Sequence, residues 1–145
     1  MMLPQDDGLS RHEGFRILIV EDSPAFRRVL REILSREFPA MSIEEVGDGT
    51  EAMEKIKTFL PNLVFMDIRL PGVNGLELTA MIRKDYPEVT VIVLTSYDLE
   101  EYREAAQRYG ANYFLAKGTT TEEEIVSLVK RVESGLTPPF EGTRP

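Results

Sequence analysis

The sequence predicts an α/β protein with a doubly wound, mostly parallel β-sheet and helices on both of its faces. Short, uninterrupted apolar runs alternate along the chain with segments whose apolar residues recur every three or four positions. This order, a strand followed by a helix and repeated five times, requires parallel strands joined by helical crossovers. Two of the apolar runs also end directly in carboxylates. Both acidic steps therefore lie at the carboxyl ends of strands, where ligands bind in such sheets.

Five segments have the character of strands. Four of them are apolar runs without polar alternation, namely Ile17–Val20, Leu63–Met66, Val89–Leu94 and Tyr113–Leu115. Continuous apolar runs are typical of strands that are buried on both faces. Ser42–Val46 is a weaker, edge-like strand.

Five helices fill the gaps between these strands. Ser23 is a suitable cap for the first helix and Pro24 fits its first turn, while Pro39 marks its end. The other four begin at residues that suit a helix N-terminus, in chain order Asp48 or Gly49, Asn74 or Gly75, Asp98, and Thr120 or Thr121. The third helix stops before Pro87 and the fourth ends at Gly110.

The size and composition indicate one globular domain. The chain has 145 residues, of which 42% are hydrophobic, enough for one substantial core and too few for two ordinary domains. We expect a polar N-terminal tail at 1–14, a folded domain at 15–134, and a C-terminal tail or the start of a linker at 135–145. There is no cysteine, which excludes disulfides, thiolate metal sites and a cysteine nucleophile.

Charge and hydropathy narrow the possible partners. The formal net charge is −8, which argues against direct nucleic-acid binding by this chain. No apolar stretch approaches the roughly 20 residues that cross a bilayer, and the N-terminal segment lacks the apolar centre of a secretory signal. We therefore expect a cytoplasmic protein without membrane contact. The only histidine is His12, in the polar N-terminal segment, so a Ser-His-Asp site in the folded part is excluded.

Five polar residues follow the predicted strands in order: Glu21 and Asp22, Asp67, Thr95, and Lys117. Each alone has an ordinary explanation as a cap, a turn residue, a strand residue or a surface lysine. Together, three carboxylates without nitrogen ligands form an oxygen site that suits Mg²⁺. The carboxylates repel one another by about 4 kcal/mol per pair at roughly 4 Å and an effective dielectric near 20, which a divalent cation and Lys117 would relieve.

The same set suits phosphoryl transfer to a carboxylate. The transition state spreads its charge over three equatorial oxygens. Mg²⁺, the Lys117 ammonium and the Thr95 hydroxyl could each stabilise one of these oxygens. A carboxylate that attacks phosphorus forms an acyl phosphate.

At 15–134 the sequence resembles the receiver domains of two-component response regulators. Four segments carry the resemblance: Ile-Leu-Ile-Val-Glu21-Asp22-Ser, Met-Asp67-Ile-Arg-Leu-Pro-Gly-Val-Asn-Gly75, Val-Leu-Thr95-Ser, and Gly110-Ala-Asn-Tyr-Phe-Leu-Ala-Lys117. The resemblance implies a flavodoxin-like (βα)₅ fold with strand order 2-1-3-4-5. It also implies a sensor histidine kinase or phosphotransfer protein as the donor, and a possible homodimer through helix 4, strand 5 and helix 5.

The resemblance also implies a role for each site residue. Asp67 would accept the phosphoryl group. Asp22, Asp67 and the main-chain carbonyl of Arg69 would bind Mg²⁺ directly, and Glu21 would act mainly through a metal-bound water. Lys117 would contact the phosphoryl group. Thr95 would move to hydrogen-bond it and Phe114 would turn inward behind Thr95, which reshapes the face made by helix 4, strand 5 and helix 5.

Some positions depart from the family pattern or vary within the family. Gly118 follows Lys117, where many receivers have a cis-proline. Phe114 has no hydroxyl, and strand alternation predicts that its neighbour Tyr113 points to the opposite face. Arg69 and Tyr97 flank the pocket and would tune how long the phosphate survives.

Several functions stay open at this level. We favour the receiver of a transcription regulator, whose DNA-binding output domain would follow the linker-like Gly-Leu-Thr-Pro-Pro segment; a stand-alone receiver is the alternative. A metal-dependent phosphatase would need a second acid two residues after the nucleophile, but Arg69 occupies that position. A flavin-binding module would need a glycine- or hydroxyl-rich phosphate loop after strand 1, where Glu21 and Asp22 lie instead.

Overall fold

The computed structural model describes residues 14–135 and 141–142. This part of the chain contains five helices and six strands in alternation. In chain order they are β1 (Arg16–Val20), α1 (Pro24–Glu37), β2 (Ser42–Val46), α2 (Gly49–Phe59), β3 (Leu63–Met66), α3 (Gly75–Asp85), β4 (Thr90–Thr95), α4 (Glu100–Arg108), β5 (Tyr113–Ala116), α5 (Glu122–Glu133) and β6 (Glu141–Gly142). Within these residues, no helix is both long and apolar enough to cross a bilayer.

The strands form one parallel sheet in the order β2-β1-β3-β4-β5-β6. The predicted order 2-1-3-4-5 and the flavodoxin-like class are confirmed. The sixth strand was not predicted: Glu141 and Gly142 pair with Tyr113 and Phe114 on β5, inside the segment expected to be a tail or linker. Two residues without an apolar run give no sequence signal for a strand, and the open edge of β5 can pair with any extended segment.

Alternation along the strands divides the buried residues into two clusters on opposite faces. One face packs against α2, α3 and α4 and includes Leu18, Val64 and Val91. The other packs against α1 and α5 and includes Ile17, Leu63 and Ile92. Because every central strand is buried on both sides, its sequence is a continuous apolar run.

Four of the five helix starts follow the predicted capping chemistry. Ser23, Asp48, Asn74 and Thr121 each accept a hydrogen bond from a backbone N–H in the first turn of the helix that follows. The prediction for α4 is wrong: the helix begins at Glu100 after Leu99, with no side-chain cap. Asp98, the expected cap, instead accepts a hydrogen bond from Arg103 Nη2.

Candidate functional site

The five predicted polar residues lie at one edge of the sheet. The backbone ladder continues past the strand ends, since the N–H groups of Glu21, Asp67 and Lys117 donate to the carbonyls of Val46, Val20 and Thr95 at 3.1, 3.0 and 2.8 Å. These bonds fix the first residue after each strand relative to the neighbouring strand. The residues therefore share one edge because parallel strands end together, not because they are close in sequence. The side chains of Glu21, Asp22, Asp67 and Lys117 lie close together there, whereas Thr95 is placed at this edge by the end of β4.

The three carboxylates form a compact cluster. Glu21, Asp22 and Asp67 each offer an oxygen, and these oxygens all lie within 4.8 Å of one another. Glu21 and Asp67 are buried, with 3% and 6% of their surface exposed, whereas Asp22 is exposed. Two oxygens bound to one Mg²⁺ at about 2.1 Å are at most about 4.2 Å apart. A small contraction, or one ligand acting through water, would thus let the cluster hold the ion.

Asp67 is held in place by its own backbone and faces a cation. Its Oδ1 accepts a hydrogen bond from the Ile68 N–H at 2.8 Å. Its Oδ2 lies 3.5 Å from Lys117 Nζ. One oxygen is thus anchored, and the other is directed toward the group that would neutralise its charge.

Lys117 is closer to Glu21 than to Asp67. Its Nζ is 2.7 Å from Glu21 Oε1, and it lies 4.5 Å from the centre of the Phe26 ring on α1. The following turn closes on the Ala116 carbonyl, which accepts from the Thr119 and Thr120 N–H groups. The peptide bonds of the described residues, including that between Lys117 and Gly118, are trans.

Burial makes the charge of Glu21 unfavourable. Desolvation raises the pKa of this carboxyl above its ordinary value, and the nearby Asp67 charge adds to the effect. Lys117 and the Ser23 N–H, which donates to Glu21 Oε2 at 2.9 Å, oppose the rise in pKa but do not cancel it. The cluster is therefore electrostatically strained when no cation is bound.

Thr95 and Phe114 lie on the same face of the sheet and are fully buried. The Thr95 hydroxyl oxygen accepts a hydrogen bond from the Tyr97 N–H at 3.2 Å. The Arg103 guanidinium lies 5.0 Å from the centre of the Phe114 ring. Phe114 is thus already turned inward in this structure, and Tyr113 packs into the cluster on the opposite face, as alternation predicted.

Arg69 connects the loop after β3 to the region around α4. Its guanidinium lies 4.4 Å from the centre of the Tyr97 ring. A hydrogen bond to the Tyr102 hydroxyl raises the pKa of Arg69. Tyr97 and Tyr102 meet edge to face with centroids 6.1 Å apart. The contact with Tyr102 was not predicted, since nothing in the spacing of these residues indicates it.

Two glycines allow the loop after β3 to pack tightly. A Cβ on Gly75 would lie 1.9 Å from the Asp67 carbonyl oxygen, and one on Gly49 would lie 2.5 Å from the Val73 carbonyl oxygen. The N–H groups of these glycines donate to the carbonyls of Ile68 and Pro71. The first residues of α2 and α3 therefore hold the loop after Asp67 in place by backbone hydrogen bonds.

A parallel sheet in this strand order, with a carboxylate cluster at its carboxyl edge, defines a receiver-type domain. The sequence model of the family described as the response regulator receiver domain matches residues 17–130. The chain belongs to this family, and no part of the match depends on the tails.

Individual relatives agree with this assignment. The chain is 32% identical to the transcriptional regulatory protein DegU of Brevibacillus brevis, over 83% of the chain and 50% of that protein. It is 37% identical to the chemotaxis protein CheY of Halobacterium salinarum, over 70% of the chain and 83% of that protein. A DNA-binding response regulator of the LuxR family from Staphylococcus aureus superposes with a TM-score of 0.76 at 28% identity, over 82% of this chain and 98% of that one. The chain spans about half the length of several curated relatives that it matches.

Proposed function

We propose that this receiver domain accepts a phosphoryl group on Asp67 from a sensor histidine kinase or a phosphotransfer protein. The observation that supports this most is the pairing of a buried carboxylate at a strand end with Lys117 at 3.5 Å and two further acids within 4.8 Å. A carboxylate in ordinary structural use would not need this concentration of like charge.

Asp67 is the nucleophile in this proposal. A carboxylate oxygen attacks the phosphorus of a phosphohistidine, the P–N bond breaks, and its electron pair returns to the imidazole nitrogen of the donor. An acyl phosphate forms on Asp67. The only histidine in this sequence is His12, outside the described residues, and in this proposal the phosphohistidine is supplied by a separate donor protein.

Mg²⁺ would be held by the side chains of Asp22 and Asp67 and by the Arg69 main-chain carbonyl, with Glu21 acting mainly through water. The bound ion supplies positive charge next to the phosphoryl oxygens. Lys117 gives a second positive charge by exchanging part of its contact with Glu21 for the phosphoryl group. Because Glu21 and Asp67 are buried, these charges are screened less than at the surface.

Thr95 and Phe114 would convert the phosphoryl group into a change of shape. The Thr95 hydroxyl would donate to a phosphoryl oxygen, and the packing of Phe114 behind it would alter the face of α4, β5 and α5. That face would form a homodimer or bind a target. The relatives DegU, ExaE and NreC are named as regulators of transcription or of an oxygen response, which supports control of a DNA-binding output domain.

A stand-alone receiver is the second candidate. The chain covers 83% of a chemotaxis protein, CheY, so a receiver without an output domain is also represented among its relatives. Reading the coding sequence beyond residue 145 distinguishes the two. In either case the domain stores a phosphoryl group and does not turn over a substrate, because Arg69 occupies the position where a phosphatase needs a second acid.

Labelling with a small phosphodonor tests the proposal. With acetyl phosphate and Mg²⁺, intact-mass measurement should show one added phosphoryl group, and Asp67→Asn should abolish it. Asp85→Asn, which changes an exposed aspartate at the far end of α3, should label like the wild type. Equal labelling of Asp67→Asn would refute Asp67 as the acceptor. Mg²⁺ alone should also raise Tm, because a ligand that binds only the native state stabilises it.

A further inference from the structure

We propose that Arg27 is a positioning residue of the acidic pocket, which fixes the peptide between Glu21 and Asp22 and thereby sets the affinity for Mg²⁺. This inference rests on the metal site of the proposed function. Arg27 lies on α1 and was not among the residues that the sequence indicated. Its side chain bonds Glu45 and the Glu21 carbonyl and not the carboxylates of the cluster. Arg27 therefore holds the backbone that carries two of the three acids.

The Arg27 side chain binds the loop at the point where the acids begin. Its Nη1 donates to the Glu21 carbonyl at 2.6 Å, and this carbonyl belongs to the peptide group whose nitrogen is that of Asp22. The N–H on the other side of Glu21 donates to the Val46 carbonyl at 3.1 Å. Both peptide groups of Glu21 are therefore fixed, one by β2 and one by Arg27.

The guanidinium is itself held by an ion pair to β2. Arg27 Nε donates to Glu45 Oε1 at 2.9 Å, and Arg31 Nη1 donates to Glu45 Oε2 at 2.9 Å. A Cβ on Gly47 would lie 3.2 Å from Arg27 Nη1, so the glycine leaves room for the side chain. The Arg27 side chain is 23% exposed.

Charge and geometry predict opposite effects of removing Arg27. If the guanidinium acted only through its charge, its loss would make the pocket more negative and Mg²⁺ would bind more tightly. If it positions the loop, its loss lets the Glu21–Asp22 peptide rotate, and Mg²⁺ binds more weakly. Mutation of residues that orient metal ligands typically lowers the affinity for the metal by about 10- to 100-fold. The direction of the change therefore separates the two explanations.

Arg31 provides a matched control. It carries the same charge and shares the same carboxylate, Glu45, but the bond from its Nη1 goes to Glu45 alone and not to the loop. Replacing it by methionine removes the positive charge next to Glu45 and leaves the Arg27–Glu21 bond in place.

Calorimetric titration with Mg²⁺ tests the inference on the full chain. We expect Arg27→Met to bind about 10-fold more weakly or worse, and Arg31→Met to stay within about 2-fold of the wild type or to bind slightly more tightly. Unchanged or tighter binding by Arg27→Met would overturn the inference while leaving the metal site intact. Absence of binding by the wild type would overturn the metal site and this inference with it.

A second readout separates positioning from general damage. Labelling of Arg27→Met by acetyl phosphate should be slow at limiting Mg²⁺ and recover toward the wild-type rate at saturating Mg²⁺. A loss that persists at saturating Mg²⁺ would contradict a positioning role. If circular dichroism shows that Arg27→Met is unfolded, Arg27→Lys takes its place, because it keeps the charge but cannot contact Glu21 and Glu45 as a planar fork does. Weaker Mg²⁺ binding is expected from it, and wild-type affinity would overturn the inference.

Discussion

Gly75, where the loop after β3 meets α3, should be among the positions of the domain least tolerant of substitution. A Cβ at this residue would lie 1.9 Å from the Asp67 carbonyl oxygen, 2.9 Å from the Asp67 carbonyl carbon and 3.0 Å from the Ile68 Cα. All three atoms are backbone, so no side chain can rotate away. Gly75→Ala must instead move the start of α3 or the backbone of Asp67 by at least 1.1 Å, the difference between 1.9 Å and the 3.0 Å below which such contacts are essentially never found.

The magnitude follows from two opposing terms. Overpacking of a rigid site costs about 1–3 kcal/mol, and the upper end applies because the obstacle is backbone. Alanine gains up to about 1 kcal/mol over glycine inside a helix, but Gly75 is the first residue of α3 and gains less. We therefore expect Gly75→Ala to lower the free energy of unfolding by about 2–3 kcal/mol, which lowers Tm by about 6–10 °C for a chain of this size. If Asp67 is the acceptor as proposed, a displacement of about 1 Å would also slow its labelling about 100-fold.

Gly118→Ala is the matched control. It makes the same change next to another site residue, Lys117, but a Cβ there meets nothing within 4 Å and the backbone has no positive φ. Its effect should be neutral or stabilising by up to about 1 kcal/mol. Tm from differential scanning calorimetry and the rate of acetyl phosphate labelling are the two measurements. A Gly75→Ala protein with the Tm and labelling rate of the wild type would refute the steric reasoning, as would equal losses in both glycine variants.

Two further predictions concern charge in the pocket. Asp22→Asn removes a carboxylate whose oxygen lies within 4.8 Å of those of Glu21 and Asp67. Because Asp22 is exposed, each repulsion is nearer ~0.9 kcal/mol, the value in water, than ~3.5 kcal/mol at a dielectric of about 20. The two repulsions together amount to about 1.8 kcal/mol, so Tm without metal should rise by about 4–6 °C while calorimetry shows weaker Mg²⁺ binding, and a lower Tm would contradict the repulsion. Burial raises the pKa of Glu21, so its contribution to stability is present below the ordinary value of 4.5 and is lost as pH rises through the raised pKa. In chelator, urea denaturation from about pH 4 to about pH 8 should show Glu21→Gln gaining stability over the wild type in that window, whereas parallel curves would count against the shift.

Most elements of this fold were predictable because the strands β1 to β5 and most helix ends are encoded locally. The runs Leu63–Met66 and Ser42–Val46 match the observed strands residue for residue, since burial on both faces or at an edge leaves a direct trace in composition. The sequence prediction failed where a residue's hydrogen-bond partner is set by the folded structure and not by its own residue type. Asp98 is of a residue type that caps helices well, but its carboxylate accepts a hydrogen bond from Arg103 instead. The helix α4 therefore begins without a side-chain cap. The pairing of β6 likewise depends on a neighbouring strand edge and not on its own residues.

The candidate site divides in the same way. The positions of Glu21, Asp67, Thr95 and Lys117 follow from where strands end, and a parallel sheet brings strand ends together. The residues that support them do not follow from any pattern. The Phe26 ring next to Lys117 and the Arg27 bond to the Glu21 carbonyl arise from the orientation of α1 over the sheet. In the sequence both residues belong to an ordinary amphipathic helix.

The contacts of Tyr97 connect Thr95 to α4, and the proposed phosphorylation of Asp67 would act on α4 through this connection. The bond from the Tyr97 N–H to the Thr95 hydroxyl, at 3.2 Å, is longer than the 2.9–3.0 Å most common for such bonds. A hydroxyl that moves toward a phosphoryl oxygen would stretch this bond first. The Tyr97 ring in turn contacts Arg69 from the loop after β3 and Tyr102 of α4. Tyr97 therefore links Thr95, through its backbone N–H, to Arg69 and α4, through its ring, and we expect a shift of Thr95 to change the packing of α4.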